Sequence, residues 1–218
     1  MASASPRRSM LLEQINLKFE VMPSNVDEEI EPELCPQLVV QTLSRKKAFD
    51  VAQKLKDNSI VIGADTIVTI ADVKDEFDKM GHNEISEGGI SADKTEINKS
   101  STYRILGKPK SEDEAYKMLM ELKGKWHEVI TGICIVDSGN MNYISDFERT
   151  LVKMRDYSEE EVRSYIKTGE PMDKAGSYGI QGIGAVLVES VQGCYYNVVG
   201  LPVAKLAIHL PKFGVKVL

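Results

Sequence analysis

The chain has 218 residues, 42% of them hydrophobic and 28% charged, with a formal net charge of −6. That length suits one large domain or a two-lobed one, and the composition excludes disorder throughout. The acidic balance disfavours a nucleic-acid polymer as partner but leaves room for a nucleotide gripped by a few local cations.

Residues 2–8 read Ala-Ser-Ala-Ser-Pro-Arg-Arg. Ser5 before Pro6 marks a helix start, with serine as cap and proline at the first helical position. Apolar spacing at Met10, Leu11, Ile15 and Leu17 carries that helix to residue 17. The hydroxyls of Ser3 and Ser5, free backbone N–H groups, Arg7 and Arg8 would together make an anion site; a capped helix with two solvated arginines fits equally well. Residues 18–22 (KFEVM) alternate as a short strand, which Pro23-Ser24-Asn25 breaks. Asp27, Glu28 and Glu29 then form an acidic cluster, readable as a source of metal ligands or as a solvated loop. Residues 38–56 have the spacing of an amphipathic helix, with Arg45, Lys46 and Lys47 as its basic segment.

Residues 60–66 (IVIGADT) read as a buried strand that passes through Gly63 and Ala64 and delivers Asp65 and Thr66 at its carboxyl end. Open α/β sheets place ligands there; an aspartate that caps a turn is the other reading. Residues 71–104 are polar and aperiodic, the expectation being a long loop or disordered insertion. Lys108 follows in the turn of Gly107-Lys108-Pro109. Ser111 with Glu114 is a capping box opening a helix to residue 122, closed by Gly124. Strands are expected over 127–136 (HEVITGICIV) and 143–155, and a second capping box, Ser158 with Glu161, opens a helix that ends at Gly169. Residues 169–185 (GEPMDKAGSYGIQGIGA) are dense in glycine, which permits close backbone approach to a ligand, with Asp173, Lys174 and Gln181 as polar groups. A strand over 185–191, a turn at Gln192-Gly193 and a helix started by Pro202 complete the chain.

Cys35, Cys134 and Cys194 are odd in number and widely spaced, which suggests neither a disulfide framework nor a zinc site. Small buried hydrophobes in a reducing cytosol are the expectation. No apolar run approaches a membrane span and no signal-like segment opens the chain, so the expected location is cytoplasmic. His127, at a strand start, reads as structural rather than catalytic, and His82 and His209 have less claim to chemistry.

Several segments coincide in type and order with one family. Ser3-Ala4-Ser5-Pro6-Arg7-Arg8, Gly63-Ala64-Asp65-Thr66, Gly107-Lys108-Pro109 with residues 127–132 (HEVITG), the glycine-dense stretch to Gly182, and residues 197–202 (NVVGLP) resemble the Maf family of nucleoside triphosphate pyrophosphatases. Asp173-Lys174-Ala175-Gly176 and residues 178–182 (YGIQG) look like the branch favouring dTTP and UTP. The resemblance implies an α/β fold like that of inosine triphosphate pyrophosphatases: one two-lobed domain over residues 1–218, a long mixed β-sheet with flanking helices, a cleft between the lobes, and often a homodimer. It implies house-cleaning hydrolysis of dTTP, UTP and modified pyrimidine triphosphates to the monophosphate and pyrophosphate, with Mg²⁺ or Mn²⁺ required. A non-catalytic nucleotide-binding regulator of cell division is the alternative that it carries.

Carried over by motif, Asp65 would be the proton acceptor and, with Glu28, a metal ligand. Lys47, Lys108 and Arg7 would contact phosphates, and Arg8, Thr66 and Gln181 would tune base choice. Ser3, Ser5, Asp173 and Lys174 complete the expected substrate-binding set. The chemistry suits these residue types: cations stabilise charge on the transferred group, and a carboxylate accepts a proton from water activated by a divalent ion. Two features depart from the family pattern. Its members usually carry an apolar strand ahead of the Ser-Ala-Ser-Pro-Arg-Arg element, which here begins at residue 2, so one sheet strand is expected to be lacking. The 71–104 insertion is the other, expected to be a solvated loop.

Overall fold

The structure, a computed structural model, describes residues 1–28, 34–71 and 103–218. Among the described residues, five strands form one open sheet in the order β2-β1-β3-β4-β5: β1 (Ile60–Ala71), β2 (Tyr103–Leu106), β3 (Trp126–Asp137), β4 (Tyr143–Met154) and β5 (Val188–Gln192). Every neighbouring pair is antiparallel, where the resemblance implied a mixed sheet. Helices flank it: α1 (Pro6–Gln14), α2 (Pro36–Ala52), α3 (Glu112–Leu122), α4 (Glu159–Ile166), α5 (Tyr195–Val199) and α6 (Val203–His209).

Strand alternation sorts the core into faces. Val61, Ile67, Ile130, Cys134 and Val136 point to the side covered by α2, where they meet Val39, Val40, Leu43, Ala48 and Val51. Ile62, Ala64, Ile133 and Ile135 point to the opposite side and pack on Leu11 and Leu12 of α1, Val199 of α5 and Leu206 of α6. Farther along that second face, Val68, Val129, Val152 and Met154 pack on α3, α4 and the glycine-dense segment. The two clusters on this face flank the facing pair Thr66 and Thr131, so the lobes part at a polar position of the sheet.

Two glycines bring α2 down onto its face. A Cβ on Gly63 would stand 2.3 Å from the Ser44 carbonyl oxygen and 2.8 Å from the Ala48 nitrogen, and one on Gly132 would stand 2.3 Å from the Val40 carbonyl oxygen. Only hydrogen fits at either place. Gly63 therefore serves helix approach and does not end the strand. β1 runs on through Asp65 and Thr66 to Ala71, so Asp65 lies mid-strand opposite Gly132 rather than at a carboxyl end.

The outer edge of β1 is covered in two pieces. Ala2 N donates to Ile62 O at 2.8 Å, and β2 pairs only with residues from Val68 onward. Residues 18–22 form no strand: they run beside Met1, whose amine donates to Glu20 O and whose carbonyl accepts from Met22 N. A partner of one residue supports too few ladder bonds for a strand. The expected insertion is narrower than 71–104, since Ala71 pairs with Tyr103 and Ile70 with Arg104; its remainder, with His82, lies outside the described residues, as does Glu29.

Element ends differ by a few residues. α1 begins at Pro6 and stops before Asn16, whose φ is +56°, and α2 starts with Pro36 at its first turn and ends at Ala52. The strand expected over 185–191 begins only at Val188, after a 3-10 turn over Ile183–Leu187. The Ser158–Glu161 capping box is complete. At α3 only half of the expected box forms: Ser111 Oγ accepts from Glu114 N, while the Glu114 carboxylate takes Lys110 N instead of the Ser111 amide.

Candidate active site

Asp65 points to the α2 face. The close approach at Gly63 and Gly132 places Lys47, one helical turn from Ser44 and Leu43, over it. Lys47 Nζ lies 2.6 Å from Asp65 Oδ1 and 2.7 Å from Glu28 Oε1. Both Lys47 and Asp65 side chains are only 10% exposed, whereas that of Glu28 is half exposed. Burial pushes the Asp65 carboxyl above its ordinary pKa, opposed by Lys47 and Arg8. For Glu28 burial works the same way, but Lys47, Lys108 and Arg8 outweigh it and hold that carboxyl low. Two neighbouring acids are thus pushed apart in acidity.

Thr66, next in the strand, points to the opposite face. Its Oγ1 accepts from Arg8 Nη2 at 3.1 Å and lies 2.9 Å from Thr131 Oγ1. Arg8 is fixed twice more, its Nε donating to Gly200 O at 2.8 Å and its Nη1 to Ser3 Oγ at 2.9 Å. Ser5 occupies the cap position of α1, but its side chain makes no capping hydrogen bond; Ser3 Oγ instead accepts from Ser5 N.

The glycine-dense segment closes the far wall. Arg7 Nη1 meets Asp173 Oδ2 at 3.0 Å, tying α1 to this segment, and Lys174 Nζ takes the other Asp173 oxygen at 2.6 Å. Glu170 gathers the segment: its carboxylate accepts from Ile183 N, Gly184 N and the Tyr165 hydroxyl. Gly179 and Gly182 leave the space that Lys174 and Glu170 occupy.

All these walls face one cleft of about 490 Å³, within the range that holds small-molecule ligands. Asp65, Glu28, Lys47, Lys108, Ser3, Ser5, Arg7, Arg8, Thr66, Asp173, Lys174 and Gln181 all line it. The structure therefore brings together every residue to which the resemblance assigned a role in catalysis or binding. Among the described residues no group of three or more His, Cys, Asp or Glu side chains is placed to hold a metal. The pair of carboxylates converging on Lys47 suits a cation whose remaining ligands are phosphate oxygens and water.

A family model described as Maf-like protein matches residues 1–213. The chain belongs to the Maf-like protein family. Among its relatives, a protein of Acetivibrio thermocellus named dTTP/UTP pyrophosphatase is 44% identical over 224 residues, covering 100% of this chain and 96% of its own. Proteins with the same name from Caldicellulosiruptor saccharolyticus, 44% identical over 217 residues, and from Thermoanaerobacter sp., 46% identical over 206, cover 98% and 94% of this chain. The alignments span 94% and 91% of those two relatives.

Other residues of this Maf-like protein escaped sequence reasoning. Thr131, Tyr178 and Asn197 stand in segments that match the family, but their roles, like that of Glu170, depend on partners that the sequence does not show. His127 is buried in the sheet with Nε2 2.7 Å from the Tyr178 hydroxyl, which accords with a structural role. His209 lies 2.8 Å from Asp146, away from the cleft. No helix among the described residues is long and apolar enough to cross a membrane.

Proposed function

We propose that this Maf-like protein hydrolyses dTTP and UTP between the α- and β-phosphates, releasing the nucleoside monophosphate and pyrophosphate. The observation that carries the reading is the cleft itself: a buried aspartate, a lysine bridging it to a second carboxylate, and four further cations, Arg7, Arg8, Lys108 and Lys174, on the surrounding walls. The names of the relatives supply the substrate class.

In this reading the triphosphate lies among Arg7, Lys47, Lys108 and Lys174. Arg7 offers a planar fork to phosphate oxygens, and the lysines act as point charges. The Arg7–Asp173 and Lys174–Asp173 pairs orient those cations before substrate enters. A divalent ion, Mg²⁺ or Mn²⁺, held by Asp65 and Glu28 with substrate oxygens, would neutralise phosphate charge and acidify water. Asp65 accepts the proton of the attacking water as the general base. The base lies toward Thr66, Arg8 and Gln181, across the β1 edge from the reacting phosphates. Nucleotide pools set the place of such chemistry, which makes the reading a cytoplasmic one.

The test is pyrophosphate release from dTTP, UTP, CTP and purine triphosphates with Mg²⁺ or Mn²⁺. Release from dTTP and UTP, reduced at least about a hundredfold in Asp65→Asn, is expected for loss of a general base. A wild-type protein that binds these nucleotides without turnover would overturn the catalytic reading in favour of a nucleotide-binding regulator.

A further inference from the structure

Behind Thr66, out of reach of the cleft, stand two fully buried polar residues with no role in the reaction above, Thr131 on β3 and Asn197 on α5. Thr131 Oγ1 lies 3.0 Å from the Asn197 carbonyl oxygen and 2.9 Å from Thr66 Oγ1. A hydroxyl carries one proton, and a carbonyl oxygen can only accept. Thr131 therefore donates to Asn197. In the Thr66–Thr131 contact the proton must then come from Thr66.

The reverse orientation would turn the Thr131 proton onto Thr66 and leave two buried oxygens 3.0 Å apart with none between them. That forfeits a buried hydrogen bond. Asn197 cannot swing away to relieve it. Its Nδ2 donates to Val129 O and to Thr150 Oγ1, both at 2.9 Å, and its own carbonyl also accepts from Gly200 N.

The direction of this chain of protons fixes what Thr66 offers to a ligand. Its proton is spent on Thr131, and one lone pair takes the Arg8 N–H. The lone pair that remains can only accept. Arg8 has itself committed one N–H each to Gly200, Ser3 and Thr66, so two of its five N–H groups remain to donate beside that acceptor.

We infer that Thr131, oriented by the Asn197 carbonyl, is a positioning residue that holds Thr66 as an obligate hydrogen-bond acceptor, so that the cleft selects the ring N–H of uracil or thymine over the bare ring nitrogen of cytosine. The inference rests on the reading that the cleft takes a pyrimidine nucleotide with its base toward Thr66. Uracil and thymine carry a hydrogen at ring position 3, flanked by carbonyls that suit Arg8. Cytosine in the same pose brings a lone pair against a lone pair.

The experiment measures binding rather than turnover, with the full chain, Mg²⁺ and the α,β-imido analogues of UTP and CTP titrated calorimetrically. Wild-type protein is expected to bind the UTP analogue roughly tenfold more tightly or better, the factor that one buried hydrogen bond sets. Thr131→Val removes the acceptor of the Thr66 proton, so that hydroxyl can turn and donate into the cleft; the preference should fall about tenfold. Thr131→Ser should restore it. A merely structural role would weaken both analogues by one factor in Thr131→Val and leave the ratio unchanged, which would overturn the inference, as would wild-type protein binding both analogues alike or neither. Should Thr131→Val fail to fold, Thr66→Val serves in its place: a preference that survives it refutes the proposal, and a preference that vanishes supports it. A chain that shows the expected ratios but releases no pyrophosphate keeps this inference and overturns the catalytic reading.

Discussion

Removing the Lys47 ammonium tests the heart of the cleft. In Lys47→Met a side chain of similar length keeps the packing on the sheet, while Asp65, whose side chain is 10% exposed, loses its ion-pair partner 2.6 Å away. Breaking one side of a buried pair typically costs about 3–5 kcal/mol, because the surviving charge stays desolvated. The contact to Glu28, half exposed, should add little to this. For a chain of this size the loss corresponds to a Tm lowered by roughly 10 °C. The penalty should depend on pH with a definite sign. Burial already raises the Asp65 pKa, and losing Lys47 raises it further. A group whose folded pKa lies above its unfolded value contributes stability below the unfolded value, and that contribution is lost as pH rises through the folded one. The gap between wild type and variant should therefore be widest near pH 8 and shrink toward pH 5. Urea denaturation at the two pH values, on Lys47→Met, Asp65→Asn and the double variant, measures it. The double variant should be more stable than Lys47→Met alone at pH 8. A loss under about 1 kcal/mol, a penalty independent of pH, or simple additivity in the double variant would refute the argument.

Two further outcomes follow from the packing. Gly63→Ala places a Cβ 2.3 Å from a backbone oxygen of α2, so the helix must retreat; about 1–3 kcal/mol of stability should go, with a fall in kcat as Lys47 leaves Asp65. A neutral result in urea denaturation would mean that the helix does not ride on that glycine. His127 is held neutral in the core, where burial lowers its pKa from 6.5 to about 3. Stability from this group is present above the ordinary value and is lost as pH falls through 6.5 toward the depressed one, at about 1.4 kcal/mol per pH unit. His127→Phe should be less stable at neutral pH, since the Tyr178 hydroxyl loses its partner, yet flatter between pH 7 and 5; parallel stability curves would count against a buried neutral imidazole.

Much of this was legible in the sequence because it is local. The Ser158–Glu161 box, Pro6 in the first turn of α1, and the β-branched runs of β1 and β3 depend on neighbours a few residues away. The candidate residues, too, came into one cleft as the motifs implied. Illegible were the features set by distant partners. Gly63 lies inside the expected strand, where a glycine costs packing; only a helix resting on it explains its presence there. Residues 18–22 alternate like a strand, but pairing depends on the partner, which here is Met1. Nothing in the sequence sets Glu170 apart, and its work in gathering Ile183, Gly184 and Tyr165 is visible only in three dimensions.

The unusual position of Asp65 in the middle of β1 explains how one cleft can do two things. Consecutive residues of a strand point to opposite faces, so Asp65 and Thr66 cannot share a pocket on either face of a continuous sheet. They share one here because no strand among the described residues pairs with the outer edge of β1 between Ile62, which Ala2 reaches, and Val68, where β2 begins. By strand alternation, the backbone groups of Ala64 and Thr66 face the same way as Ile62 O and so point into this gap. A ligand lying across the edge meets Asp65, Lys47 and Glu28 from the α2 side and Thr66 and Arg8 from the side of α1 and α5. In the proposed reading, chemistry and base selection then rest on different faces, different helices and different core clusters on either side of the strand. Under that reading, a proton fixed between Thr131 and Asn197 changes which base is read without moving the carboxylates proposed to act on the phosphates.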